Sequence, residues 1–150
     1  MAQSLSQLYV HIIFHVKGHT LIRLNDAQRI HTYMVGIIKN HDSIPIQING
    51  MPDHIHILCI LSKNVSLARC VQDVKSISSV WIKGIAPYYH RFEWQKGYGG
   101  FSVSPSLHDK TVQYIRNQAT HHRKMSCKEE YLLFLKEYGI EYDERYLWND

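Results

Sequence analysis

Two short patterns in this 150-residue chain bring together groups able to act on a phosphate ester. The first is His54-Ile55-His56. Residues two apart in a strand point the same way, so the imidazoles project together while Ile55 and Ile57 turn to the other face. This spacing suits two ligands of one metal ion, and it equally suits two half-buried histidines on a polar sheet face; a third ligand decides between them. The second pattern is Tyr114-Ile115-Arg116-Asn117-Gln118, in which Tyr114 and Gln118 share one helical face. A further step of four reaches His122. A tyrosine at helical spacing is either a packing residue or a nucleophile. A phenol of ordinary pKa near 10 needs a nearby cation or base and an activated electrophile. A metal held by His54, His56 and the Gln118 carbonyl could polarise a phosphodiester beside Tyr114, so the parts are chemically coherent together.

The surrounding pattern sets the elements that must position these groups. Residues 8–17 read as a strand, with Val10, Ile12, Phe14 and Val16 on one face and Tyr9, His11, His15 and Lys17 on the other. Asn25 is a candidate cap for a helix over 26–40, whose apolar stripe is Ile30, Met34, Ile37 and Ile38. Strands follow at 44–49 and 54–61, joined by a turn at Gly50-Met51-Pro52-Asp53. A second helix runs from Asn64 or Ser66 to about Lys83, with Leu67, Val71, Val74, Ile77 and Trp81 facing inward. Residues 84–97 are irregular and aromatic. Residues 98–104 read as a strand whose glycines point to a bend or a close backbone approach. The third helix starts at Ser106, with Asp109 in a capping-box position, and runs to about Lys124; Leu107, Ile115 and Ala119 form its packing stripe. A short helix near 128–138 and an aromatic tail, Tyr142 to Trp148, close the chain. The order β-α-β-β-α-β-α predicts an α+β, ferredoxin-like (RRM-like) antiparallel sheet with two helices on one face. The additional tyrosine-bearing helix belongs on the open side.

Size and composition are those of one globular domain spanning 1–150, with 45% hydrophobic and 20% charged residues. Nothing reads as a membrane span or a signal peptide, which leads to a cytoplasmic expectation with no membrane partner. Cys59, Cys70 and Cys127 are odd in number and widely spaced, arguing against disulfides and zinc ribbons. A formal charge of +4 allows a polyanionic partner without demanding one. The 11 histidines and 10 tyrosines say more, since imidazoles serve metals, acid-base chemistry and nucleic-acid surfaces alike. Lys75, Lys83, Arg91, Lys96, Lys110, Arg116, Arg123 and Lys124 flank the candidate site in sequence. Trp81, Tyr88, Tyr89, Phe92, Trp94 and Tyr98 interleave with them, a composition suited to unpaired DNA, while the same cations also suit a solvated face and the same rings core or dimer contacts. The strongest phosphate candidates are His121-His122-Arg123-Lys124, with Arg116 beside them.

Met51-Pro52-Asp53-His54-Ile55-His56-Ile57-Leu58 resembles the HUH motif (histidine, bulky apolar residue, histidine) of single-tyrosine transposases of small bacterial insertion sequences. Tyr114-Ile115-Arg116-Asn117-Gln118 resembles their tyrosine-x-x-x-glutamine helix. Phe92-Glu93-Trp94-Gln95 and Gly97-Tyr98-Gly99-Gly100-Phe101-Ser102-Val103-Ser104 resemble the region before it. The likeness extends from the first strand to Tyr146-Leu147-Trp148. It implies that His54, His56 and Gln118 hold Mg²⁺ or Mn²⁺. It further implies that Tyr114 attacks the scissile phosphate, becoming linked to the 5′ phosphate and releasing a 3′ hydroxyl. Single-stranded DNA with hairpins near element ends is the implied partner. A homodimer, whose tyrosine helix can complete the partner's site, is also implied. Alternatives are a hairpin-binding relative without mobility, another HUH nuclease, or a metal hydrolase using water in place of Tyr114.

Overall fold

The computed structural model describes residues 2–148. Its centre is a four-stranded antiparallel sheet of β1 (Leu8–His15), β2 (Ile44–Met51), β3 (His54–Leu61) and β4 (Gly99–Val103), in the order β2-β3-β1-β4. With α1 (Leu24–Asn40) after β1 and α2 (Leu67–Lys83) after β3, this is the expected ferredoxin-like arrangement. Alternation along the two central strands divides the sheet into faces. Ile12, Phe14 and Val16, together with Ile55, Ile57 and Cys59, pack with Ile30, Met34 and Ile38 of α1 and Cys70, Val71 and Val74 of α2. Ser66 caps α2 by accepting the Arg69 amide, whereas Arg23, not Asn25, stands at the N-cap of α1 and makes no side-chain cap bond.

The α2 stripe is rotated from the expected one. Cys70, Val71, Val74, Ser78 and Ile82 are buried, while Ile77 is 44% exposed. Small Cys70 and Ser78 lie on the buried side, and Trp81 stacks on Tyr33 of α1 at 4.3 Å. The irregular 84–97 segment is also core more than surface. Tyr89, Phe92 and Trp94 are buried, which removes them from the expected DNA-facing aromatics. The Tyr89 hydroxyl donates to Asp26 at 2.6 Å and the Trp94 indole to Ser78 at 3.0 Å. Lys75 is likewise spent on structure, its Nζ donating to the carbonyls of Gln95, Lys96 and Gly97.

The opposite sheet face is covered by the chain after β4. A 3-10 turn, Pro105–Leu107, replaces the expected helix start at Ser106 and leads into α3 (His108–Arg116), α4 (Gln118–His121) and α5 (Cys127–Glu137). A last turn, α6 (Glu144–Leu147), follows. Ile115 packs on Leu58 and Val103, while Tyr131 and Leu135 pack on Ile13 and Phe101. Ala119 and Leu107 are exposed and do not share that stripe. No helix among the described residues is long and apolar enough to cross a membrane.

Candidate active site

His54 and His56 lie on a central strand, so their backbones are fixed by hydrogen bonding on both sides. In the register His15 faces His54 and Ile13 faces His56 across β1 and β3. The Pro52-Asp53 turn is clamped to the strand beyond β1, with Val16 N donating to Asp53 O and Ile22 N to Pro52 O. Both imidazoles are fully buried beneath the helices of the second face.

The predicted third helix is broken at Asn117, just where the chemistry changes. Asn49 of β2 sends its amide to the carbonyls of Ile115 and Arg116, at 3.0 and 3.1 Å. These bonds occupy the last acceptors of α3, and Asn117 turns the chain into α4. Gln118 remains one turn from Tyr114 and points into the sheet, fully buried, its Oε1 3.1 Å from His54 Nε2. His122 follows it inward, its Nε2 3.0 Å from the same Gln118 oxygen. The sequence assigned His122 to phosphate, but the structure turns it into the histidine cluster. His121 stands beside Tyr114, its Nε2 3.0 Å from the phenolic oxygen, while Arg116, Arg123 and Lys124 are exposed.

Glu130 of α5 completes the assembly. Its Oε1 lies 2.8 Å from His56 Nε2, 3.3 Å from His122 Nε2 and 3.5 Å from His54 Nε2. Its Oε2 accepts the Tyr114 hydroxyl and lies 3.3 Å from His121 Nε2. One ligand atom from each of His54, His56, His122 and Glu130 falls within 4.8 Å of the others. The nitrogens on the far sides of the rings are tethered. His54 Nδ1 meets Asp53 Oδ1 at 2.7 Å, His56 Nδ1 meets His11 Nε2 at 2.8 Å, and His122 Nδ1 meets the Met125 carbonyl at 2.7 Å. Metal-ligating histidines are ordinarily oriented through their second nitrogen in this way. The donors therefore fit a divalent ion: imidazoles, an amide oxygen and a carboxylate converge with their supports already in place.

Electrostatics follow from the burial. Desolvation works against charge on His54, yet Asp53, Cys127 and Glu130 outweigh it and lift its pKa to about 11. Both its nitrogens face only acceptors, which agrees with an imidazolium when no ion is bound. The His54 hydrogen bond holds Asp53 down to about 2. Desolvation keeps His11 and His15 neutral, near 3, and His56 near 4. Glu130 stays ionised despite its burial because His54, His56 and Tyr114 favour the carboxylate. Burial and then Glu130 push the Tyr114 phenol well above its ordinary pKa. Its side chain borders a cleft of about 280 Å³ that includes Lys110, Thr111, His121, Phe134 and Glu137. A separate cleft, with Lys17, Lys83 and Lys96, runs along α2.

A family model described as "Transposase IS200 like" matches residues 4–118. The chain belongs to the IS200-like transposase family. Two solved structures share its fold. A candidate transposase from Deinococcus radiodurans R1 is 20% identical, with a TM-score of 0.61 over 79% of this chain and 98% of that one. A REP-associated tyrosine transposase bound to a REP hairpin is 11% identical, with a TM-score of 0.61 over 81% of this chain and 74% of that one. No curated protein matches the chain. The family segment of this transposase relative ends at Gln118, so His122, Cys127 and Glu130 come from beyond it. Sequence reasoning missed Glu130 altogether. It left His11 as one polar strand residue and Asp53 as a turn former. His11 carried a signal, because strand alternation put it on the same sheet face as His15 and opposite the apolar stripe.

Proposed function

We propose that this chain, acting as one domain over 1–150, cuts and rejoins single-stranded DNA through a 5′-phosphotyrosine on Tyr114. His54, His56 and Gln118 would hold Mg²⁺ or Mn²⁺. The observation carrying this reading is the proximity of the Tyr114 oxygen to the donor cluster, joined to it within one chain through the Glu130 carboxylate. Tyr89 shows that a structural phenol can also bind a buried carboxylate, so what sets Tyr114 apart is that its carboxylate belongs to a cluster of metal-type donors.

The residues divide the work. Tyr114 supplies the nucleophilic oxygen; its bond to phosphorus forms as the bond to the 3′ oxygen breaks. That oxygen leaves as a hydroxyl after taking a proton from solvent. The phenolic proton passes to a neighbouring acceptor, with His121 Nε2 and Glu130 Oε2 both in contact. An ion bound by the cluster supplies Lewis acidity to a non-bridging phosphate oxygen. Arg116, Arg123 and Lys124, all exposed, would hold neighbouring phosphates. The ester retains the phosphodiester energy, so a 3′ hydroxyl can reverse the attack and rejoin a strand without a nucleotide cofactor.

Hairpin ends of a mobile element are the substrate this reading favours, by the resemblance and because a neighbour of the same fold is described with a REP hairpin. A homodimer in the cytoplasm completes the proposal. The test is incubation with labelled single-stranded hairpin DNA and Mg²⁺ or Mn²⁺, followed by denaturing electrophoresis. Wild type forms a protein–DNA adduct, Tyr114→Phe forms none, and His54→Ala or His56→Ala forms little. An adduct that persists in Tyr114→Phe places the nucleophile elsewhere, and cleavage without any adduct makes the chain a water-using hydrolase.

A further inference from the structure

We infer that Glu130, on a helix outside the family-matched segment, is an additional metal ligand whose second oxygen sets the position of the Tyr114 phenol. The inference rests on the reading of His54, His56 and Gln118 as a divalent-metal site.

Three observations carry it. First, Glu130 Oε1 lies within 3.5 Å of three imidazole Nε2 atoms, those of His56, His122 and His54. One carboxylate oxygen has too few lone pairs to accept three well-aligned hydrogen bonds. Donors around one ion, each about 2.1 Å from it, necessarily crowd to separations of about 3 Å. Second, every one of those rings is anchored through Nδ1, leaving Nε2 as the free donor aimed at the same place. Third, the carboxylate is 1% exposed, so its charge needs a counterpart inside the cluster, a place that a divalent ion takes when it replaces the proton of His54.

Adding a carboxylate changes the character of the site. Two imidazoles and an amide form a neutral set, while Glu130 makes it anionic and harder, favouring Mn²⁺ and Mg²⁺ over softer ions. The other oxygen, Oε2, accepts the Tyr114 hydroxyl. A single side chain therefore ties the nucleophile to the ion, and its placement depends on α5 being docked.

Mn²⁺ binding reads the proposal without reference to strand cutting. Free Mn²⁺ is counted by electron paramagnetic resonance during titration of wild type, Glu130→Gln, and His54→Ala. The expected result is at least a tenfold weaker affinity for Glu130→Gln and no measurable site in His54→Ala. Wild-type affinity in Glu130→Gln alongside loss in His54→Ala overturns the Glu130 assignment and leaves the metal site standing. Wild-type affinity in both variants overturns the site itself, and the Glu130 assignment with it. The unmutated protein, grown with carboxyl-¹³C glutamate and loaded with Mn²⁺, gives a second reading independent of any folding defect. Electron–nuclear double resonance then shows a strong ¹³C coupling from one ligating carboxylate, and its absence overturns the assignment.

Discussion

Gly50→Ala tests whether the β2–β3 hairpin is what places His54, the first of the proposed metal ligands. Gly50 pairs with Ile55 in the register, one residue from His54. A Cβ built on Gly50 would meet the His54 carbonyl oxygen at 2.2 Å, with Ile55 Cα at 3.1 Å. Ordinary contact for such atoms is about 3.5 Å, so roughly 1.3 Å must be recovered by movement. A flexible side chain could give that distance cheaply, but this neighbour is backbone. The same segment is clamped on its other side, with Val16 and Ile22 donating to Asp53 and Pro52. Overpacking against a rigid neighbour costs about 1–3 kcal/mol, and this site belongs near the upper end. In a chain of this length about 2–3 kcal/mol lowers Tm by roughly 4–12 °C. The displaced carbonyl belongs to His54, so Mn²⁺ affinity should fall together with stability. Thermal melting by circular dichroism and Mn²⁺ titration of the folded variant at low temperature measure the two effects. A variant with wild-type Tm and wild-type Mn²⁺ affinity would show that the hairpin relaxes freely and refute the reasoning.

Other perturbations have equally defined outcomes. His11→Ala removes the partner of His56 Nδ1 and should weaken Mn²⁺ binding about 10–100-fold, read by calorimetry; unchanged affinity would assign His11 to packing alone. Tyr89→Phe deletes the hydroxyl that donates to Asp26 and accepts from Arg23 N, and should cost about 1–3 kcal/mol in urea unfolding with Mn²⁺ binding intact. For the metal-free protein, stability should peak near pH 7, where protons bound by three depressed histidines on unfolding balance the one released by His54. His11 and His15 (about 3) and His56 (about 4) are depressed by burial, so the unfolded chain binds more protons below 6.5 and stability falls on acidification. His54 works in the opposite sense: burial disfavours its charge, but Asp53, Cys127 and Glu130 raise it to about 11. Its contribution is complete below 6.5 and is lost as pH rises from 6.5 toward about 11. Melting in a chelator between pH 4.5 and 9 checks the shape, and a plateau from 5 to 7 would contradict it.

The sheet was legible because it is written in local rules. Alternation in β1 and β3, the Pro52-Asp53 turn and the Ser66 cap each act over a few residues and agree with one another, although Gly50 and Met51, expected in the turn, continue β2 and pair with Ile55 and His54. The same locality exposed the parallel projection of His54 and His56 and the shared face of Tyr114 and Gln118. What escaped were features decided by distant partners. The break at Asn117 depends on Asn49, 67 residues from Arg116. The buried stripe of α2 includes Ser78, whose partner is the Trp94 indole 16 residues away. Glu130 sits 74 residues from His56, on a helix whose spacing contains no hint of a metal. Spacing puts His122 on the face of Tyr114 and Gln118, while the run with Arg123 and Lys124 makes it a phosphate candidate; its contact with Gln118 decides for the first.

This division between local and distant determinants also separates the rigid and the adjustable halves of the site. The paired histidines are held by strands on both sides, and their geometry can change only if the sheet does. Tyr114, Gln118, His122 and Glu130 all come from the chain after β4, which lies over the sheet through smaller apolar contacts: Ile115 on Leu58, and Tyr131 and Leu135 on Ile13 and Phe101. Phe134 adds a ring 5.3 Å from Phe101 and another such approach, 5.2 Å, to His11. The chemistry is therefore conditional on docking. With α5 seated, the phenol is held by Glu130 and raised in pKa, a protonated oxygen poised at the mouth of the cleft. Any movement of α5 that carries Glu130 away exposes Tyr114 and removes the adjacent negative charge, the two main causes of its raised pKa, and takes a carboxylate from the donor cluster. In the proposed reading, the acidity of the phenol and the donor number are thus set against each other by a single side chain, and the helix that carries it lies outside the family-matched segment.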